Sequence, residues 1–187
     1  MTRQQSTRST PHSINLQALA TSGEPMIERT PLQNLERLAN ESIGLQPEIM
    51  SKMVVDWQAA AELRTGAAGQ MDTWLHLRAS TSVPMTCQRC MGAVQTPLQV
   101  DQWYRFVASE EIAMAEDDAS EEDLLVMAPQ FDLAGLLEDE LLMALPLVPM
   151  HDECPALPAF SAGVIDVPGD VAEKPNPFAA LAQLKKK

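Results

Sequence analysis

Two long runs of alternating residues, joined through Cys87–Gly92, limit this chain's fold more than any other feature. Met71, Thr73, Leu75, Leu77, Ala79 and Thr81 alternate with Asp72, Trp74, His76, Arg78 and Ser80. Val94, Thr96, Leu98, Val100, Gln102, Tyr104 and Phe106 form the second run. A period of two turns one side of a strand towards a core and the other towards water. The pair therefore predicts a long β-hairpin with a C-x-x-C at its tip. Pro84 and Pro97 suit strand ends or an edge. Upstream, Met53–Trp57 predict a further strand, and Ala67–Gln70 the turn that leads into the hairpin.

Helical spacing surrounds this β region. Leu16, Leu19 and Ala20 give Ile14–Thr21 one apolar side, ended near Gly23. Thr30-Pro31-Leu32-Gln33 reads as a capping box with Pro at the first helical position, and Leu32, Leu35, Leu38 and Ala39 recur up to about Ser42. Asp132 can cap a helix to about Leu145, with Leu133, Leu136, Leu137, Leu141, Ala144 and Leu145 on its apolar face. Glu138, Asp139 and Glu140 fall largely on the other side, and Pro146 and Pro149 end the helix. Asn176 and Pro177 can start a last helix, with Phe178, Leu181 and Leu184 on one face and Lys185–Lys187 at its negative end. The fold class that results is α+β: an antiparallel sheet centred on the long hairpin, with short helices packed on one side and an acidic loop inserted. A disordered tail at 1–13 is expected to precede a single domain at 14–187, with the acidic loop at about 109–130, whose part Ser109–Asp123 reads as a solvated loop or a short exposed helix, and a Pro-rich loop at about 146–173.

Charge is concentrated in one place. The net charge is −13, yet Ser109–Glu153 carries fourteen acidic residues and no Lys or Arg, so the remainder is close to neutral. A uniformly basic RNA-binding surface is excluded, because phosphate contacts need Lys and Arg. The acidic segment 109–140, with Glu116, Asp117, Asp118, Glu121, Glu122, Asp123, Glu138, Asp139 and Glu140, either engages a basic partner or serves solubility alone. Any RNA contact falls to Arg78, Arg89, Arg105, Lys185, Lys186 and Lys187. No window reaches the roughly 18 apolar residues of a membrane span, and the first residues offer no apolar stretch for a signal peptide. No membrane association is expected.

Three cysteines, an odd number, argue against a disulfide framework and for a reducing compartment, with the cytoplasm as the expected location. Cys87-Gln88-Arg89-Cys90 follows a strand and leads into another, whereas a thioredoxin-like site opens a helix. Two thiolates at this spacing in a turn are half of a tetrahedral zinc site. His151 and Cys154, in H-x-x-C spacing after the helix that Asp132 starts, can supply the other half. The alternative is three reduced thiols without metal. His12 and His76 have no nucleophile or carboxylate at an interpretable spacing, and no P-loop, G-x-S-x-G or Rossmann glycine pattern occurs. Neither an enzymatic activity nor a small-molecule substrate is expected.

Three motifs in order carry a resemblance. Cys87–Cys90, the run Asp132-Leu133 … Leu136-Leu137-Glu138-Asp139-Glu140-Leu141-Leu142-Met143-Ala144-Leu145-Pro146-Leu147-Val148-Pro149-Met150-His151, and Lys174-Pro175-Asn176-Pro177-Phe178-Ala179-Ala180-Leu181 resemble the YceD family of large ribosomal RNA subunit accumulation proteins. The resemblance covers the chain from about Ile14 onwards. It implies a bacterial cytoplasmic protein needed for normal accumulation of 23S rRNA, without catalytic activity. It also implies a partner in large-subunit assembly: the pre-50S particle, 23S rRNA or a basic large-subunit ribosomal protein. Some members carry further cysteines in the segment matching His151–Cys154, which favours a metal there. A zinc- or redox-responsive regulatory binding protein that uses the C-x-x-C is the competing function.

Overall fold

A computed structural model describes residues 13–43, 50–66 and 69–155. Contacts divide the chain into two units, Met1–Leu157 and Pro158–Lys187, and every described residue belongs to the first. In chain order the elements are β1 (Ser13–Ile14), α1 (Leu16–Ser22), β2 (Met26–Pro31), a 3-10 turn (Leu32–Asn34), α2 (Glu36–Glu41), β3 (Val54–Thr65), β4 (Met71–Thr86) and β5 (Ala93–Val107). There follow α3 (Glu110–Glu116), a second 3-10 turn (Asp117–Ala119), β6 (Asp123–Val126), β7 (Phe131–Asp132) and α4 (Leu133–Met143). The class is α+β, as the alternating runs predict. Five strands form one sheet in the order β2-β3-β4-β5-β6, and β1 pairs with β7 in a separate two-stranded ribbon.

The hairpin is the axis of the sheet. Thr73 faces Phe106 at its base, and the ladder continues to Thr86 opposite Ala93 beside the C-x-x-C. One face carries Val55, Trp57, Ala59 and Ala61 of β3, Leu75, Leu77, Ala79 and Val83 of β4, and Leu98, Val100, Tyr104 and Phe106 of β5. Leu16 from α1, Leu32, Leu35 and Leu38 from the first 3-10 turn and α2, and Leu133, Leu137 and Leu141 from α4 close the same core. The intervening positions stay outside: Trp74 stacks edge-on to Trp103, His76 lies flat against Trp103, and the Arg64 guanidinium covers both indoles. His76 also has a carboxylate partner, Asp101, which its position in the sequence did not reveal. α3 does not join the core layer; its Glu116 reaches Arg105 on the outer face.

Several segments depart from the sequence reading. Thr30 and Pro31 do not start a helix but end β2, paired with Val55 and Val54. The Thr30 hydroxyl accepts the Trp57 indole N–H at 2.9 Å. Pro31 is tolerated because β2 is an edge strand, where its missing N–H breaks no ladder. The helix starts only at Glu36. The strand expected at Met53–Trp57 runs on to Thr65. The acidic stretch, read as a solvated loop or a short exposed helix, forms the short helix α3 with no buried residue, but β6 after it departs: it pairs in parallel with β5 from Asp123 opposite Tyr104 to Val126 opposite Val107. Ser13, assigned to the tail, pairs with Asp132.

Asp132 caps α4 as expected, accepting from the Gly135 N–H at 2.9 Å. Gly23 ends α1 at φ 66°, the left-handed conformation glycine adopts at little cost. No helix among the described residues is long and apolar enough to cross a membrane. Residues 1–12, the Pro-rich stretch beyond 155, the helix expected from Asn176 and Lys185–Lys187 lie outside the described residues.

Candidate metal centre

The hairpin tip builds a cysteine knuckle from its own backbone. The Cys87 N–H donates to the Gly92 carbonyl at 2.8 Å, and the Met91 N–H donates to the Cys87 carbonyl at 2.9 Å. Met91 takes φ 60°, and this left-handed residue turns the chain back into β5. The turn also aims N–H groups at sulfur. Burial opposes ionisation of Cys87, but the backbone N–H groups of Cys90, His151 and Arg89, with the His151 ring, more than offset it and bring the thiol down to about 5. The Gly92 N–H favours the Cys90 thiolate, yet burial and the adjacent Cys87 and Cys154 sulfurs outweigh it, so that thiol lies above its ordinary value.

The second segment, residues 146–155 after α4, docks on this tip through polar contacts. Gln88 donates its N–H to the Pro149 carbonyl at 2.9 Å. The Arg89 Nη2 donates to the carbonyls of His151 and Asp152 at 2.6 and 3.0 Å, while its Nε lies 3.0 Å from the Cys154 Sγ. His151 Nε2 sits 2.9 Å from the Ala93 carbonyl, which can only accept. Nε2 therefore carries a proton, and Nδ1 faces the Cys90 Sγ at 3.4 Å. Cys87 and Cys154 bring their sulfurs to 3.8 Å. The ligand atoms of Cys87, Cys90, His151 and Cys154 all lie within 4.8 Å of one another. Cys87 is fully buried, and the other three are half-buried.

The remaining sequence candidates do not converge on this place. Asp117, Asp118, Glu121 and Asp123 are exposed and Glu122 is half-buried, and no cation among the described residues pairs with them. Glu116 is held by Arg105 at 2.7 Å. Glu138 and Asp139 both pair with Arg37. Glu140 neighbours the buried Tyr104 phenol, which is raised first by burial and then by that carboxylate. Among the basic candidates, Arg105 is only 16% exposed and bound by Asp72 and Glu116, and Arg89 is engaged at the knuckle. Arg78 keeps an exposed guanidinium, whose described bond is to Gln58. Sequence reasoning missed Arg89 as the bridge between the two cysteine segments. Its position inside the C-x-x-C was the signal.

The family model described as large ribosomal RNA subunit accumulation protein YceD matches residues 75–185. That stretch takes in the hairpin, the knuckle, α4 and the docked segment. The chain is also similar to the large ribosomal RNA subunit accumulation protein YceD of Haemophilus influenzae, 39% identical over 106 residues. The similarity covers 56% of this chain and 61% of that protein. No solved structure matches.

Proposed function

Because the chain belongs to the YceD family, we propose that it supports the accumulation of 23S rRNA during assembly of the large (50S) ribosomal subunit. It acts in the cytoplasm by binding, not by catalysis. Family membership carries this reading. The partner it favours is a basic large-subunit ribosomal protein, free or within the pre-50S particle, met by the exposed carboxylates of Asp117, Asp118, Glu121 and Asp123 and the half-buried Glu122 between them. Like charge repels RNA from that surface, and two of the three arginines that the sequence offers for RNA are engaged within the protein. A field of one sign speeds encounter with a partner of the other sign and weakens with salt.

The experiment is co-sedimentation of the purified chain with large-subunit precursors, comparing wild type with a variant in which those five residues are Asn or Gln. Glu116 stays intact because it holds Arg105. Association is expected to fall about tenfold or more in the variant at low salt, with circular dichroism unchanged. Equal recovery of ribosomal proteins by the two would rule out the acidic surface as the contact.

The convergence of Cys87, Cys90, His151 and Cys154, with ligand atoms within 4.8 Å of one another, favours a second reading, a zinc- or redox-responsive regulatory binding protein. It requires that oxidation of the cysteines switch the association, whereas the first reading expects none.

A further inference from the structure

We propose that Cys87 Sγ, Cys90 Sγ, Cys154 Sγ and His151 Nδ1 hold one Zn2+ in a closed tetrahedral site that latches the segment after α4 onto the hairpin tip. The spacing of the donors carries the assignment. Sulfurs about 2.3 Å from a shared ion at tetrahedral angles stand about 3.8 Å apart, and a sulfur and an imidazole nitrogen about 3.6 Å apart. The observed Cys87–Cys154 separation is 3.8 Å, and Cys90 Sγ to His151 Nδ1 is 3.4 Å. A disulfide requires about 2.05 Å, far inside the Cys87–Cys154 distance.

The surroundings suit the same ion. Thiolate and imidazole donors prefer a borderline-soft ion such as zinc to magnesium or calcium. Three thiolates exceed the charge of Zn2+ by one, and the Arg89 guanidinium against Cys154 Sγ offsets the excess. His151 is oriented by its Nε2–H on the Ala93 carbonyl, as a ligating imidazole is by its outer hydrogen bond. Four protein ligands leave no position for water or substrate, so the site is structural.

The segment also lacks another firm anchor. Leu147 is fully exposed, Val148 and Met150 are half-exposed, and 146–155 contains no helix or strand. Among its apolar side chains only Pro149 is buried, and the polar bonds from Gln88 and Arg89 both start at the knuckle. The ion ties together two segments more than sixty residues apart in sequence and so fixes where α4 hands the chain over. Arg89 is a positioning residue: it crosses from the knuckle to three acceptors on the docked segment. None of this rests on the ribosomal reading, and its test needs no ribosome.

The test uses the full chain, purified under reducing conditions without a metal-affinity step. Elemental analysis is expected to give about one zinc per chain. Co2+ added to the metal-stripped protein is expected to give the visible bands of a tetrahedral site and a near-ultraviolet thiolate charge-transfer band. Cys154→Ser weakens Co2+ binding and lowers the charge-transfer intensity. Arg89→Ala lowers affinity by about 10–100-fold while the saturated spectrum is retained, and Arg89→Lys recovers only part of the loss. Hydrogen exchange at 146–155 is expected to speed up on chelation, with β4 and β5 unaffected. Zinc well below stoichiometry together with no tetrahedral cobalt spectrum would overturn the site, as would a disulfide among Cys87, Cys90 and Cys154 in the purified protein. Unchanged exchange at 146–155 after complete chelation would overturn the latch. Because the wild type supplies the stoichiometry, the cobalt spectrum and the exchange data, a misfolded variant does not blunt the test.

Discussion

Glu138→Ala is expected to destabilise the protein by about 2 kcal/mol, a large effect for a charged residue on a short helix. The reason lies a hundred residues upstream. α2 begins after Leu35, which has no side chain able to cap it. The first N–H groups of a helix have no partner inside it and need one from elsewhere. Glu138 supplies it: its Oε1 accepts from the Arg37 N–H at 2.7 Å and the Leu38 N–H at 3.2 Å, and its Oε2 takes the Arg37 Nε at 2.9 Å. The carboxylate also faces the positive end of that helix. Only 12% of its side chain is exposed, so water replaces these bonds poorly once it is removed. Glu138→Gln keeps one acceptor oxygen and is expected to lose less than half as much. Equilibrium urea unfolding followed by far-ultraviolet circular dichroism separates the cases. A Glu138→Ala midpoint indistinguishable from wild type would show that α2 is capped by other means.

Leu137→Ala is expected to cost more, about 3 kcal/mol. Leu137 precedes Glu138 on α4, is 1% exposed, and belongs to the core that joins α4 to the sheet and α2. Truncation removes three carbons from close-packed surroundings, and helices docked on a long hairpin cannot easily collapse into the space. The same unfolding experiment measures it, with tryptophan fluorescence as a second probe because Trp57 lies in the same core. A loss below about 1 kcal/mol would mean that α4 rests loosely on the sheet. Two adjacent residues therefore stabilise through unrelated physics, one by burial and one by capping a helix distant in sequence.

That contrast marks what was legible in the sequence. The hairpin was legible because alternation over many residues fits no other structure, and the tip because C-x-x-C sits between the two runs. Asp132 and its apolar face showed α4 for the same local reason. Glu138 and Asp139 were read as a surface for partners because their own cation, Arg37, lies about a hundred residues away, beyond any local pattern. Thr30 to Gln33 satisfied a helix start by residue type, but pairing with β3 determined the outcome. β6 escaped notice because Asp123-Leu124-Leu125-Val126 is a short apolar run after a dense acidic stretch, and only its register against β5 makes it a strand. The four candidate ligands were legible as residue types at suggestive spacings. That they meet depends on the hairpin's length and on where α4 ends, which no local pattern encodes. Arg89, grouped by its charge with the RNA contacts, is instead held at the cysteine knuckle against Cys154.

The most direct measurement of the central claim is the ratio of large- to small-subunit rRNA in cells from which the gene for this chain is deleted, with and without a plasmid that restores it. On deletion, 23S rRNA and 50S particles are expected to fall relative to 16S rRNA and 30S particles, and to recover with the wild-type plasmid. An unchanged ratio, with normal subunit profiles in the deletion, would contradict the claim.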